Sequence, residues 1–193
     1  MALINLKQLK KSINYLWISM VLFIIIYLLL HPTAFSAEHL SDFLQRFGHW
    51  IWFVYIIISF LRGIFLFPST PFVLAGAILF PENLILVGIV SILGILFSAT
   101  LLYYFADAIG FGEYLSQKYP KKIEKARIQL NKPQGKWLVA AWAWFPFVPT
   151  DIICYVAGLV QMRFSIMITG IFLGEAILIS LYLYLGKDLL SFL

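Results

Sequence analysis

Apolar residues in this chain come in long blocks, and charge is held to the gaps between them. Residues 13–30 form the first block, which is uncharged and long enough to cross a bilayer once as a helix. His31-Pro32 ends it. The charged start and Ala34-Phe35-Ser36 would also suit a cleaved signal peptide, but the spanning reading is preferred. Residues 36–48 are polar and mixed, which suits an interfacial segment. Residues 50–61 predict a helix too short to span alone. Arg62-Gly63 follows, then an apolar run to Phe80 broken by Pro68 and Pro71. Residues 50–80 therefore read as a hairpin that dips into the membrane and returns, with its tip at the prolines. Residues 84–106 give 23 uncharged positions, a clear span, in which Gly88, Ser91, Gly94 and Ser98 suit close helix contact.

The second half follows the same plan. Residues 112–136 are polar and basic, with Ile123, Ala126 and Leu130 on one helical face, Pro120 at its start and Pro133 after it. This predicts a helix lying on the membrane surface. Residues 137–162 form a second hairpin with Pro146 and Pro149 at its tip. Residues 164–186 give the last span, carrying Gly170-x-x-x-Gly174 and one acid, Glu175.

The correspondence extends to individual residues. Phe67-Pro68-Ser69-Thr70-Pro71 leads to Ala75-Gly76, and Phe145-Pro146-Phe147-Val148-Pro149 leads to Ala157-Gly158. Gly88 follows Gly76 by twelve positions, and Gly170 follows Gly158 by twelve. Proline within membrane-depth sequence breaks the helix there. Two breaks at matching places predict a pair of facing re-entrant segments around a translocation site. The expected fold is an all-α polytopic membrane protein, an inverted repeat of re-entrant hairpin plus transmembrane helix with an extra N-terminal helix. Its parts are 1–49 (first helix and interfacial segment), 50–110 (repeat one), 112–136 (basic segment), 137–186 (repeat two) and 187–193 (tail).

Composition supports the membrane assignment. The chain has 193 residues, of which 62% are hydrophobic and 12% charged. About 25% charge would be usual for a soluble domain. The single cysteine, Cys154, excludes an intrachain disulfide and reads as a small buried apolar residue. The net charge of +5 is unevenly placed. Lys7, Lys10 and Lys11 precede the first block. Seven cations in 112–136 face only Glu113 and Glu124, whereas residues 31–49 carry a net negative charge. With residues 1–12 in the cytoplasm and hairpin one returning to the outer side, both basic clusters fall inside, as the positive-inside rule asks. The two halves then have opposite orientation. The expected location is a bacterial inner or plasma membrane. The basic 112–136 segment would meet anionic headgroups. A homo-oligomer is compatible with this picture, and a nucleic-acid partner is not expected.

Leu61-Arg62, Phe67-Pro68, Ala75-Gly76 and Phe80, followed by a glycine-dotted span ending in Tyr103-Tyr104-Phe105-Ala106-Asp107-Ala108-Ile109-Gly110, resemble the first half of the DedA superfamily. The likeness is greatest to its SNARE-associated or VTT-domain branch. Residues 145–151 with Tyr155 and Ala157-Gly158 resemble that family's second signature. The resemblance covers about residues 50–186. It implies an inverted repeat of re-entrant loop plus helix. It also implies movement of phospholipids or polyprenyl-phosphate carriers between leaflets. Two departures stand out. Many members have arginine where this chain has Ala143, and the bacterial branch carries acids beside the first proline motif, where here the nearest is Glu82. These departures put passive scrambling on a par with proton-coupled transport.

Three ionisable residues inside apolar sequence are the candidate substrate site, because each costs roughly 2.5–3.5 kcal/mol at the helix centre on insertion scales. Arg62 suits a lipid phosphate, or a structural tie to freed carbonyls or to an acid of the other half. Asp151 suits a partner for Arg62, a proton or cation site, or a cap on the half-helix near Thr150. Glu175 should face the interior, either protonated or paired with Arg62. Gly76, Gly88, Gly158, Gly170 and Gly174 are expected at tight helix contacts. The tryptophans around the hairpins read as interfacial anchors. His31, His39 and His49 match no metal site, and no cofactor is expected. No Gly-rich phosphate loop, Ser-His-Asp set or nucleophile–base pair appears, so an enzyme is not expected. The sequence thus points to a lipid scramblase or flippase with a polar groove between two hairpins. A secondary transporter of a small solute coupled to H⁺ or Na⁺ and a non-transporting membrane scaffold are the alternatives.

Overall fold

A computed structural model describes residues 36–108, 117–145 and 149–189, with scattered positions between 12 and 31. Every regular element among the described residues is helical. Three stretches are long and apolar enough to cross a membrane: Gly48–Phe65, Pro81–Ala106 and Phe164–Leu185.

Helix α1 (Ala37–Gln45) starts at Ser36, whose Oγ accepts from the His39 backbone N–H at 3.3 Å. It is amphipathic, burying Ala37, Ser41 and Leu44 while Phe43 stays exposed. Helix α2 (Ile51–Leu61) is extended by 3-10 turns at Gly48–Trp50 and Arg62–Phe65. The helical stretch is therefore 18 residues, longer than the 50–61 segment expected from sequence. Arg62 in an apolar run reads as a stop. In the fold it is 3% exposed and has internal partners, so the helix continues past it. What ends the helix is Leu66 in the left-handed region at φ 56°. The Phe67 N–H bonds the Arg62 carbonyl at 3.2 Å and the Leu66 N–H bonds that of Gly63 at 3.1 Å, which closes the last turn. Pro68 then prevents continuation.

Helix α3 (Thr70–Leu79) carries Pro71 in its first turn, where the missing N–H leaves no bond unmade. A 3-10 turn at Pro81–Asn83 leads into the long helix α4 (Leu84–Ala108). Helix α5 (Pro120–Leu130) is the basic segment. Helix α6 (Gly135–Trp144) stops at Phe145, whose backbone is extended, and helix α7 (Thr150–Leu159) begins after Pro149. Pro146 lies outside the described residues, as do 109–116 and 190–193. Gln161, at φ 55°, ends α7 in the same manner as Leu66 ends α2, with the Met162 N–H bonded to the Ala157 carbonyl at 2.9 Å. Helix α8 (Phe164–Leu189) completes the set. Each half is thus a helix, a proline break, a second helix, a turn and a long helix.

Contacts cross between the halves. α7 packs on α4, α3 touches α8, and the long helices α4 and α8 meet directly. α6 lies along α8, as α2 lies along α4. The main core joins Val73, Ile95, Leu102, Val139, Met167 and Ile171 from both halves. A smaller cluster holds Leu44, Tyr55, Phe80 and Val87, with Trp52 stacked on Phe80 at 3.6 Å.

Glycine sets several of these approaches. At Gly94 a Cβ would fall 2.8 Å from the Ser59 carbonyl oxygen, and at Gly170 one would fall 2.6 Å from that of Lys136. Gly174 faces Ala140 and Ala143 of α6, and Gly158 faces the Tyr103 carbonyl and Ala106 of α4. Gly76 faces Tyr55 and Val87, and Gly88 faces Leu183. The matched glycines therefore have different partners. Gly76 meets its own half and Gly158 the other, while Gly88 meets the other half and Gly170 its own.

The apolar face of α5 is used inside the protein. Ile123, Ala126 and Leu130 pack on the main core, leaving Lys118, Lys121, Lys122, Lys125 and Lys132 exposed. Arg127 hydrogen-bonds the side chain of Gln161, and its Nε donates to the Val160 carbonyl at 3.3 Å. Asn131 Oδ1 accepts from the Arg163 backbone N–H at 2.6 Å. The sequence placed this helix on the membrane through that same apolar face, which the core now occupies.

Candidate functional site

Arg62 sits where α2 passes into the first break, and Asp151 sits in the first turn of α7. The crossing of α7 over the first half brings them together. Arg62 Nη1 lies 3.1 Å from Asp151 Oδ2 and donates to the Phe67 carbonyl at 2.7 Å. The pair is 89 residues apart in sequence and nearly sealed, at 3% and 2% exposure. Gly63 makes room for it. A Cβ there would collide with the Ser98 side chain and lie 3.2 Å from Asp151 Oδ1. Ser98 donates to the Phe60 carbonyl at 3.0 Å and fixes α4 against the end of α2.

Asp151 is not the cap of α7, because Pro149 holds that position. It lies one residue inside the helix, where the N-terminal backbone dipoles favour a carboxylate. Its neighbour Thr150 joins the third ionisable group to the site. Thr150 Oγ1 donates to Glu175 Oε1 at 2.5 Å. Glu175 is 1% exposed in the middle of α8. Arg62 therefore takes Asp151 as its ion-pair partner, and Glu175 is tied in through Thr150. Cys154 is buried beneath them, its thiol donating to the Thr150 carbonyl at 3.3 Å.

The cluster is incompletely satisfied. Among the described residues, Arg62 Nη2, Glu175 Oε2 and Ser59 Oγ are buried without a hydrogen-bond partner. Each such atom costs about 1–3 kcal/mol. A buried ion pair with loose ends is poor evidence for stability, since an apolar replacement of similar volume is often neutral or better. Its presence in an apolar helical protein argues for use. Arg62 borders a cavity of about 10 Å³, shared with Ser59, Ser69 and Ser91. That is room for about one water, and its polar lining suits one. Tyr55 and Ser91 are in hydroxyl contact nearby at 3.3 Å.

The sequence expected an open polar groove. In this conformation the three ionisable groups are enclosed, and a larger cavity beside Arg62, of about 540 Å³, is mostly apolar. Pro68 and Pro71 flank the first break and Pro149 closes the second, so the breaks do lead into the cluster. Thr150 and Gly63, which support the cluster, and Ser59, which borders its small cavity, were not singled out from sequence. A small or hydroxyl residue within one helical turn of a charge was the available signal. Trp50, Trp137 and Trp144 are exposed, as interfacial anchors would be. The described residues contain no group of three potential metal ligands.

The sequence pattern of the VTT domain matches residues 67–188. An uncharacterised protein of Methanocaldococcus jannaschii is 30% identical over 143 residues, spanning 72% of this chain and 84% of that protein. No solved structure matches. The chain therefore belongs to the VTT-domain family of membrane proteins.

Proposed function

We propose that this protein moves lipids between the leaflets of its membrane, with phospholipids or polyprenyl-phosphate carriers as the substrate class. The observation that carries the reading is the buried Arg62–Asp151–Glu175 cluster, built from both halves at the breaks between helices. A headgroup in hydrocarbon has nothing to hydrate it. A guanidinium, two carboxyls and several hydroxyls at one depth offer replacement partners while the acyl tails remain in lipid. Removing one such barrier is what translocation needs.

In this reading the proline breaks are the tips of two re-entrant hairpins of opposite orientation, with the N-terminus cytoplasmic in a bacterial inner membrane. The exposed lysines of α5 then face anionic headgroups of the inner leaflet. The closed cluster is a resting state that opens when a headgroup enters.

The test is leaflet exchange of labelled phospholipid and labelled polyprenyl phosphate in liposomes. Wild type should accelerate exchange of at least one probe without an imposed gradient, and Arg62→Ala and Glu175→Gln should lower it. Unchanged exchange in both variants would remove the site assignment. Solute uptake that depends on a proton or sodium gradient, with no lipid exchange, would instead support the coupled-transporter alternative.

A further inference from the structure

The cavity of about 540 Å³ beside Arg62 falls within the roughly 300–1,000 Å³ range of small-molecule sites. Its walls come from α1 (Leu40, Phe43), α2 (Leu61), the adjoining 3-10 turn (Phe65) and, past the first break, α3 (Phe72), with His39 and Arg62 as its ionisable members. Most of the lining precedes residue 67, where the VTT-domain match begins, while Phe67 and Phe72 fall within it. Phe43 and Leu61 are themselves exposed, at 44% and 43%, so the cavity opens along the apolar outer surface.

We propose that this cavity is a lateral lipid-binding site. It takes one acyl chain of a membrane lipid along its apolar wall and an acceptor oxygen of the head, carboxylate or phosphate, at Arg62. Three observations support the choice of occupant. The lining is apolar apart from two side chains, which fits a hydrocarbon chain and excludes a polar solute. Arg62 Nη1 is committed to Asp151 and the Phe67 carbonyl, whereas Nη2 is buried with no partner among the described residues and would meet a head oxygen when the closed cluster opens. A guanidinium only donates, so the group it can still accept must bring an oxygen with a lone pair. α2, which forms one wall, lies in an apolar helical stretch of a membrane protein, so lipid is the surrounding solvent. The inference deepens the lipid-translocation reading by naming the entrance: lipid reaches the charged cluster sideways, between α1 and α2.

The experiment is photolabelling of the full chain in nanodiscs with a mid-chain diazirine palmitate. A diazirine alkylamine of the same length serves as the comparison, and labelled peptides are read by mass spectrometry. Palmitate label should concentrate in residues 39–43 and 58–72. The amine, which brings donors and no acceptor, should label there about tenfold less, the loss of one charge-assisted hydrogen bond. Leu61→Trp should suppress the palmitate label, and Ile85→Trp, on a lipid-facing position elsewhere, should not. Equal labelling by acid and amine, label spread evenly over the lipid-facing surface, or insensitivity to Leu61→Trp would overturn the proposal. Labelling needs no translocation. Exchange without site label overturns the entrance and keeps the transport reading, whereas site label without exchange does the reverse.

Discussion

At the scale of single residues, the ion pair and its loose ends decide the behaviour. Arg62→Ala leaves Asp151 buried and unpaired, which should cost about 3–5 kcal/mol, read as a large fall in detergent melting temperature. Thr150→Val removes the only hydrogen-bond donor to Glu175 found among the described residues and should cost about 1–3 kcal/mol by the same measurement. Glu175→Gln keeps a carbonyl oxygen for Thr150, so it should fold nearly as well as wild type while lipid exchange falls. The three ionisable residues were legible in the sequence because a charge in an apolar run is costly and stands out. Their pairing was less so. Sequence offered Arg62 as partner to Asp151 and to Glu175 alike. Only the path of α7 across α4 assigns it to Asp151, leaving Glu175 to Thr150.

At the scale of helices, proline gave away the breaks, since no other residue both removes a donor and clashes with the preceding turn. The length of α2 was hidden for the opposite reason. Arg62-Gly63 looks like a polar interruption until a carboxylate is known to be waiting for the arginine. The glycine repeat was visible, and its partners were not. Twelve-residue spacing says that two positions are alike in sequence, not that they face the same neighbour. This gives a contrast to measure. Gly158 faces a backbone carbonyl of α4, which cannot yield, so Gly158→Val should push α7 away and cost at least about 1–3 kcal/mol. Gly88 faces the end of the flexible Leu183 side chain at 3.0 Å, so Gly88→Ala should cost less than 1 kcal/mol or about that. Equal effects would mean that the crossing of α7 and α4 is wrong. For α5 the helix and its amphipathic pattern were readable, but not which apolar surface it covers. Lipid and protein core reward the same stripe of Ile123, Ala126 and Leu130.

At the scale of the whole molecule, two like halves lend each other a helix. The first half supplies the guanidinium, and the second supplies both carboxyls. Neither half has a balanced site without the other. Hydropathy and the paired proline motifs were enough to assign the family and an all-helical membrane fold. Enclosure of the site was beyond them, because it depends on side-chain packing at the crossing of the halves. On the proposed reading, the buried charges serve lipid passage rather than folding. Arg62→Met with Asp151→Leu tests this most directly, since an apolar pair of similar bulk can hold the fold without the charges. The measurement is leaflet exchange of labelled lipid in liposomes, beside the melting temperature of the same protein. The expected result is a melting temperature at or above that of wild type, with exchange reduced to the protein-free rate. A variant that folds equally well and exchanges lipid at the wild-type rate would contradict it.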